Sequence, residues 1–147
     1  MILVDTGPLV ALFDRKDAEH DRCVKALKSV REPLMTTVPV LTEAFHMLGP
    51  ASPPSDRLRD FIDRRGLSVW FFDSGSLNRA FELMEIYADH PMDLVDASIV
   101  ASAELLRTRK VFTIDRRDFE TYKVRRGHRN YPIDIVPGGT GPVPART

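Results

Sequence analysis

What most constrains this chain is a set of short, mostly unalternating apolar runs, Ile2-Leu3-Val4, Leu67–Phe72, Val111–Ile114 and Ile133–Val136, separated by segments of helical period. A strand that is apolar on both faces must be covered on both faces, and parallel neighbours need long crossovers, usually helices, to connect them. The expected fold class is therefore α/β in three layers, with a central parallel sheet between helices. A chain of 147 residues buries about 70% of its unfolded surface around a single core. One domain is expected over residues 1–136. Pro137–Thr147 holds three glycines and three prolines in eleven residues, too little apolar content to order itself, and is expected to be a disordered tail.

The helices are marked by their punctuation. Gly7-Pro8 opens the first, since proline suits the first turn of a helix. Asp17 is expected to cap a second, with His20, Cys23, Val24, Leu27 and Val30 on one face. Leu34–Thr37 reads as a short strand or extended link, and Pro39 introduces a helix from Val40 to Leu48 that Gly49-Pro50 ends. Ser55 is expected to cap a helix that turns Leu58, Phe61 and Ile62 inward, these being the candidates for a self-association face if exposed. Ser74 is expected to cap another, with Leu77, Ala80, Phe81, Met84, Tyr87 and Ala88 in one stripe. After Pro91, a helix runs from Asp93 to about Arg109.

Several function classes fall away. No apolar stretch is long enough to span a bilayer, and Met1 leads straight into a strand without a basic leader, so a cytoplasmic protein is expected. The single cysteine, Cys23, forms no intramolecular disulfide, and no Cys/His cluster has zinc spacing. His20, His46, His90 and His128 show no arrangement with a Ser or Cys nucleophile. Charge is balanced overall but unevenly spread. Residues 1–104 carry 11 basic and 17 acidic side chains, while 105–147 carry 10 and 4.

Sites in open parallel sheets form at the carboxyl ends of strands, which singles out Asp5 and Asp115. Asp96 heads a face shared with Ile99, Val100 and Ala103, and Glu43 shares a stripe with Val40 and Met47; both are acids on otherwise inward faces. Each has a structural alternative: Asp5 and Asp93 as helix caps, Glu43 as a surface acid, Asp115 as a turn residue. Four carboxylates at one sheet edge would repel by roughly 3 kcal/mol per ionised pair at about 5 Å and an effective dielectric of about 20. A divalent cation would remove that cost. An all-oxygen ligand set suits Mg²⁺ or Mn²⁺, and such an ion supports phosphoryl transfer. The basic residues that bracket Asp115, among them Arg116, Arg117, Arg125 and Arg126, would draw in a polyanion.

The blocks Met1–Ala11, Leu41-Thr42-Glu43-Ala44, Pro91–Ala101 and Phe112–Phe119 resemble, in order, those of the PIN-domain ribonucleases, especially the VapC-type toxins of bacterial toxin–antitoxin pairs. The resemblance runs from Met1 to Val136. It implies a three-layer α/β/α PIN-like fold, a Mg²⁺- or Mn²⁺-dependent endoribonuclease acting on RNA, a homodimer, and inhibition by a small VapB-type antitoxin whose C-terminal segment covers the site. Carried over by position, Asp5 and Asp96 are the principal metal ligands, and Glu43 and Asp115 complete a catalytic quartet. Asp93, Thr6 and Thr113 support it, and Asp118 is the alternative to Asp115 as fourth acid. Hydrolysis by an activated water would leave 3′-hydroxyl and 5′-phosphate ends. A non-catalytic RNA-binding or antitoxin-binding PIN module is the rival reading. A phospho-receiver would want paired acids after the first strand, and a haloacid-dehalogenase-type phosphatase an Asp at position 7, where this chain has Gly7.

Overall fold

The computed structural model describes residues 1–137; apart from Pro137, the tail expected over 137–147 lies outside the described residues. Five parallel strands form the central sheet: β1 (Ile2–Val4), β2 (Leu34–Thr37), β3 (Ser68–Trp70), β4 (Lys110–Phe112) and β7 (Asp134–Val136), in the order β3-β2-β1-β4-β7. β1 lies at the centre, with Ile2 beside Leu34, and Val4 beside Phe112. All three of its residues are buried, as their unalternating apolar character requires. Helices flank the sheet. α1 (Thr6–Phe13) packs on α2 (His20–Ser29), α3 (Val38–Leu48) and α4 (Pro53–Asp63), while α5 (Ser74–Ile86) packs on α6 (Leu94–Leu106). No described helix is long and apolar enough to cross a membrane.

Several caps lie elsewhere than expected. Ser52, not Ser55, caps α4, because Pro53 and Pro54 occupy the first turn, where a missing N–H costs nothing. Ser55 instead donates its hydroxyl to the Gly49 carbonyl at 2.6 Å. Asp73, not Ser74, caps α5, forming a reciprocal box with Ser76. Asp17 accepts from the Glu19 amide in a turn, and α2 starts only at His20. α6 ends at Leu106, where Arg107 takes the left-handed conformation. β3 stops at Trp70, leaving Phe71 70% exposed.

The inward faces shift as well. In α5 the core is filled by Ala80 and Leu83, while Phe81 is 48% exposed. Leu58 is fully buried and Phe61 and Ile62 pack against the core, so this trio is not an exposed face. Two further elements lie in the basic stretch after Ile114, where the sequence pattern marked no element. α7 (Arg116–Thr121) is a short helix, and β5 (Lys123–Arg126) pairs antiparallel with β6 (Arg129–Pro132) in a hairpin. Val124 is the one buried side chain of β5, which leaves the hairpin without an apolar signature.

Leu3→Ala, which opens a void in the central strand, is expected to cost about 3 kcal/mol. Phe81→Ala is expected to cost about 1 kcal/mol or less, since its ring is half in solvent. Urea unfolding of the two variants checks both.

Candidate functional site: an acidic cleft at the carboxyl edge of the sheet

From β1 the chain builds outward to β2 and β3, then returns to place β4 and β7 on the other side. The reversal opens a crevice at the carboxyl ends of β1 and β4. Asp5 follows β1 directly and caps α1. One carboxylate oxygen accepts from the Thr6 amide and the other from the Thr113 hydroxyl, both at 2.8 Å. The same Thr113 oxygen accepts from the Asp115 amide at 3.0 Å, so one threonine ties the first and fourth acids together. The close approach of α1 to this edge depends on Gly7, where a Cβ would lie 2.7 Å from Ile114.

The remaining acids arrive on other helices. Asp93 caps α6 and accepts from the Asp96 amide at 2.8 Å. Asp96, in that first turn, accepts at Oδ2 from the hydroxyl of Tyr122 at 3.1 Å. Asp115 caps α7 and accepts from the Asp118 amide at 3.2 Å, while Asp118 meets the Nε2 of His90 at 2.6 Å. Glu43 comes from α3. Asp5, Thr6, Glu43, Asp93, Asp96, Asp115 and Asp118 all line a single cleft of about 300 Å³. The capping and site readings of Asp5, Asp93 and Asp115 are thus compatible: each caps a helix and faces the cleft.

The arginines divide. Arg116 and Arg117 sit on α7 directly after Asp115, with Arg116 reaching the Pro137 carbonyl at 3.3 Å. None of the four lines the cleft itself, and Arg125 and Arg126 lie on the hairpin strand β5. The Arg125 amide donates to Glu104 and the Arg126 guanidinium to the Arg107 carbonyl, at the far end of α6. Eight residues separate Asp96 from Glu104, roughly 12 Å along the helix axis. Tyr122 and His90 are site neighbours that sequence spacing did not reveal, being 26 and 28 residues from the acids they touch. A mostly apolar groove of about 680 Å³, which includes Val38, Phe71 and Leu94, adjoins the cleft through Glu43 and Val95.

Burial dominates the electrostatics. It raises Asp5 to about 6 against the pull of the Thr113 and Thr6 hydrogen bonds, with the Asp115 and Glu43 charges adding to the rise. Burial, then the charges of Asp93 and Asp5, raise Asp96 to about 7. Asp115 is raised by burial and by its hydrogen bond with Asp118, while the bonds to Asp115 and His90 hold Asp118 down. No cation from the protein is paired with Asp5 or Asp96 among the described residues. The Thr6 hydroxyl beside them is buried without a hydrogen-bond partner. All-oxygen donors, unneutralised carboxylates and an unused hydroxyl fit a hard cation, which Asp5 and Asp96 could hold if one bound here. No three His, Cys, Asp or Glu side chains among the described residues close on one point, so an ion here would keep much of its hydration, as Mg²⁺ does.

Both carboxyls ionise near pH 4 in the unfolded chain but only near pH 6 to 7 in the folded one. Between those values the folded state holds more protons, so without divalent metal, stability is expected to fall as pH rises from 4 to 7. Asp5→Asn is expected to flatten that slope and add about 2 kcal/mol at pH 7.5. Urea unfolding in EDTA at pH 5.0 and 7.5 measures both effects.

The PIN domain family model matches residues 2–124. Ribonuclease VapC26 of Mycobacterium tuberculosis is 24% identical over 130 residues, covering 87% of this chain and 96% of that protein. Among solved structures, the sarcin-ricin loop cleaving toxin VapC20 of Mycobacterium tuberculosis superposes with a TM-score of 0.73 at 19% identity, over 80% of this chain and 92% of its own. A toxin–antitoxin complex from Klebsiella pneumoniae follows with a TM-score of 0.65 at 21% identity, over 82% of this chain and 92% of its own. The α/β/α architecture of this chain is the one those structures share. With the family's pattern spanning most of the sequence and its sheet edge gathering the acids, the chain belongs to the PIN-domain family.

Proposed function

We propose that this protein is a Mg²⁺- or Mn²⁺-dependent endoribonuclease and the toxin of a toxin–antitoxin pair. The observation that carries the reading is the cleft itself, where the buried carboxylate of Asp5 and the half-buried one of Asp96 feel each other's charge without a protein cation among the described residues to balance it. Similarity to Ribonuclease VapC26 supports RNA as the substrate class. When bound, the divalent ion supplies a water of lowered pKa and neutralises charge developing on the phosphodiester.

The chain's own residues do the rest. Asp5 is held by the Thr6 amide and Thr113 hydroxyl, so its carboxylate is oriented before any ligand arrives. Asp96 is fixed by its place in the first turn of α6 and by Tyr122. Glu43, from the opposite helix, and Asp115, beside β4, flank the cleft and orient the attacking water. Asp118 is engaged by His90, which favours Asp115 as the fourth acid and gives Asp118 the role of holding it. Arg116 and Arg117, next to Asp115, attract the phosphate backbone without reading sequence. Attack by water in line with the leaving 3′-oxygen yields a 3′-hydroxyl and a 5′-phosphate.

The same reading assigns this chain a small VapB-type antitoxin, in keeping with the toxin–antitoxin complex it resembles in fold, and a homodimeric state. If a small protein is encoded directly upstream, co-expression with it followed by light scattering tests both partners.

Purified protein is expected to cut total RNA into discrete 5′-phosphorylated fragments with Mg²⁺ or Mn²⁺ and not in EDTA. Loss of the charge stabilisation that Asp5 or Asp96 provides is worth several kcal/mol, so Asp5→Asn and Asp96→Asn are expected to lower the rate by about a hundredfold or more. End-mapped products from wild type beside the two variants check this. Unchanged cleavage in both variants overturns the site, and RNA retention without cleavage favours a binding module.

A further inference from the structure

Tyr122 stands out among the groups around the cleft. Its side chain is fully buried, yet it ends in a hydroxyl placed 3.1 Å from Asp96 Oδ2. Its ring is gripped on three sides by edge-to-face contacts with Tyr87, His90 and Phe119, at centroid distances of 5.1, 5.8 and 5.3 Å. A ring packed this way has no rotamer to spare, so the hydroxyl cannot follow a wandering carboxylate; it determines where that oxygen sits. Its chain position adds to this. Tyr122 joins the end of α7 to the start of β5, and the next residue, Lys123, donates its amide to the Tyr87 hydroxyl at 2.8 Å. The backbone on both sides of the Tyr122–Lys123 peptide is therefore held in place.

We infer that Tyr122 is a positioning residue for metal capture: its hydroxyl satisfies and orients one oxygen of Asp96, leaving the other oxygen and the full negative charge for a divalent cation. The inference rests on the proposed metal-dependent reading of the cleft. The choice of tyrosine has a chemical logic. A lysine or arginine in the same place would orient Asp96 equally well but would cancel the charge the cation needs, whereas a phenol donates a hydrogen bond and stays neutral. Asp96 Oδ1 receives no hydrogen bond among the described residues. Outer-shell partners of this kind typically change metal affinity or activity by about 10–100-fold when removed.

The test uses the full chain and Mn²⁺ alone as probe, with free Mn²⁺ read by electron paramagnetic resonance. Tyr122→Phe keeps the ring and removes only the hydroxyl. It is expected to weaken Mn²⁺ binding by about tenfold and to lower kcat for RNA cleavage with KM unchanged. Tyr131→Phe, which trims a hydroxyl on β6 away from the acids and from the packing around Tyr122, is expected to bind Mn²⁺ as wild type does. In an Asp96→Asn background, Tyr122→Phe is expected to weaken Mn²⁺ binding no further, because Tyr122 acts through Asp96. Equal Mn²⁺ affinity in wild type and Tyr122→Phe, or full additivity with Asp96→Asn, overturns the inference while leaving the nuclease reading intact. A wild type that neither binds Mn²⁺ nor cleaves RNA overturns the nuclease reading and the inference with it. If Tyr122→Phe does not fold, wild type carrying 3-fluorotyrosine at its three tyrosines supplies the answer by fluorine NMR. Mg²⁺ is expected to move the Tyr122 resonance and not that of Tyr131, and a stationary Tyr122 resonance overturns the inference.

Discussion

The buried carboxylate of Asp5 is what the rest of the structure is arranged around. An acid at the end of a central strand would ordinarily be expelled, because removing it from water costs several kcal/mol without a partner. Here it is retained by one backbone amide and one threonine hydroxyl, neither of which neutralises it. The Thr6 amide is available because α1 starts there, and Thr113 is in reach because β4 pairs beside β1. Strand order, the first helix and the crevice are thus geometric preconditions for keeping this one charge in place.

The other acids are held by the same device. Asp93 and Asp115, like Asp5, stand at helix N-termini. Unpaired amides and the positive end of the helix dipole favour negative charge at such positions. Three helices therefore point their starts at one cleft, and their backbone amides supply partial positive charge there. This lets the acids accumulate without ion pairs that would block them, at a cost in stability that shows in the raised Asp5 and Asp96.

How much of this was legible in the sequence follows from the range of each interaction. β1, Asp5 and the Pro91–Asp96 helix start were readable because an apolar run, a turn and a cap are local signals. The inward face of α5 was not. Successive helix residues turn by about 100°, so Phe81 and Leu83 lie on nearly opposite faces; Phe81 fits the stripe of Leu77, Ala80 and Met84, and only packing against α6 turns Leu83 inward in its place. The hairpin of β5 and β6 escaped notice because a strand with a single buried residue carries no pattern. Tyr122 and His90 escaped for a different reason: each touches its acid across a gap of more than 20 residues, and no spacing rule encodes that.

α6 has one end in the acidic cleft and the other beside the hairpin of Lys123, Arg125, Arg126 and Arg129. A molecule of zero formal charge is therefore a macroscopic dipole, with its two poles held apart by a rigid rod. Near its isoelectric point of about 6.9, such a particle has no net repulsion to keep copies apart, and unlike poles attract head to tail. Its colloidal behaviour is consequently governed by ionic strength more than by pH. Attraction of this kind is expected to weaken as added salt shortens the Debye length to about 8 Å.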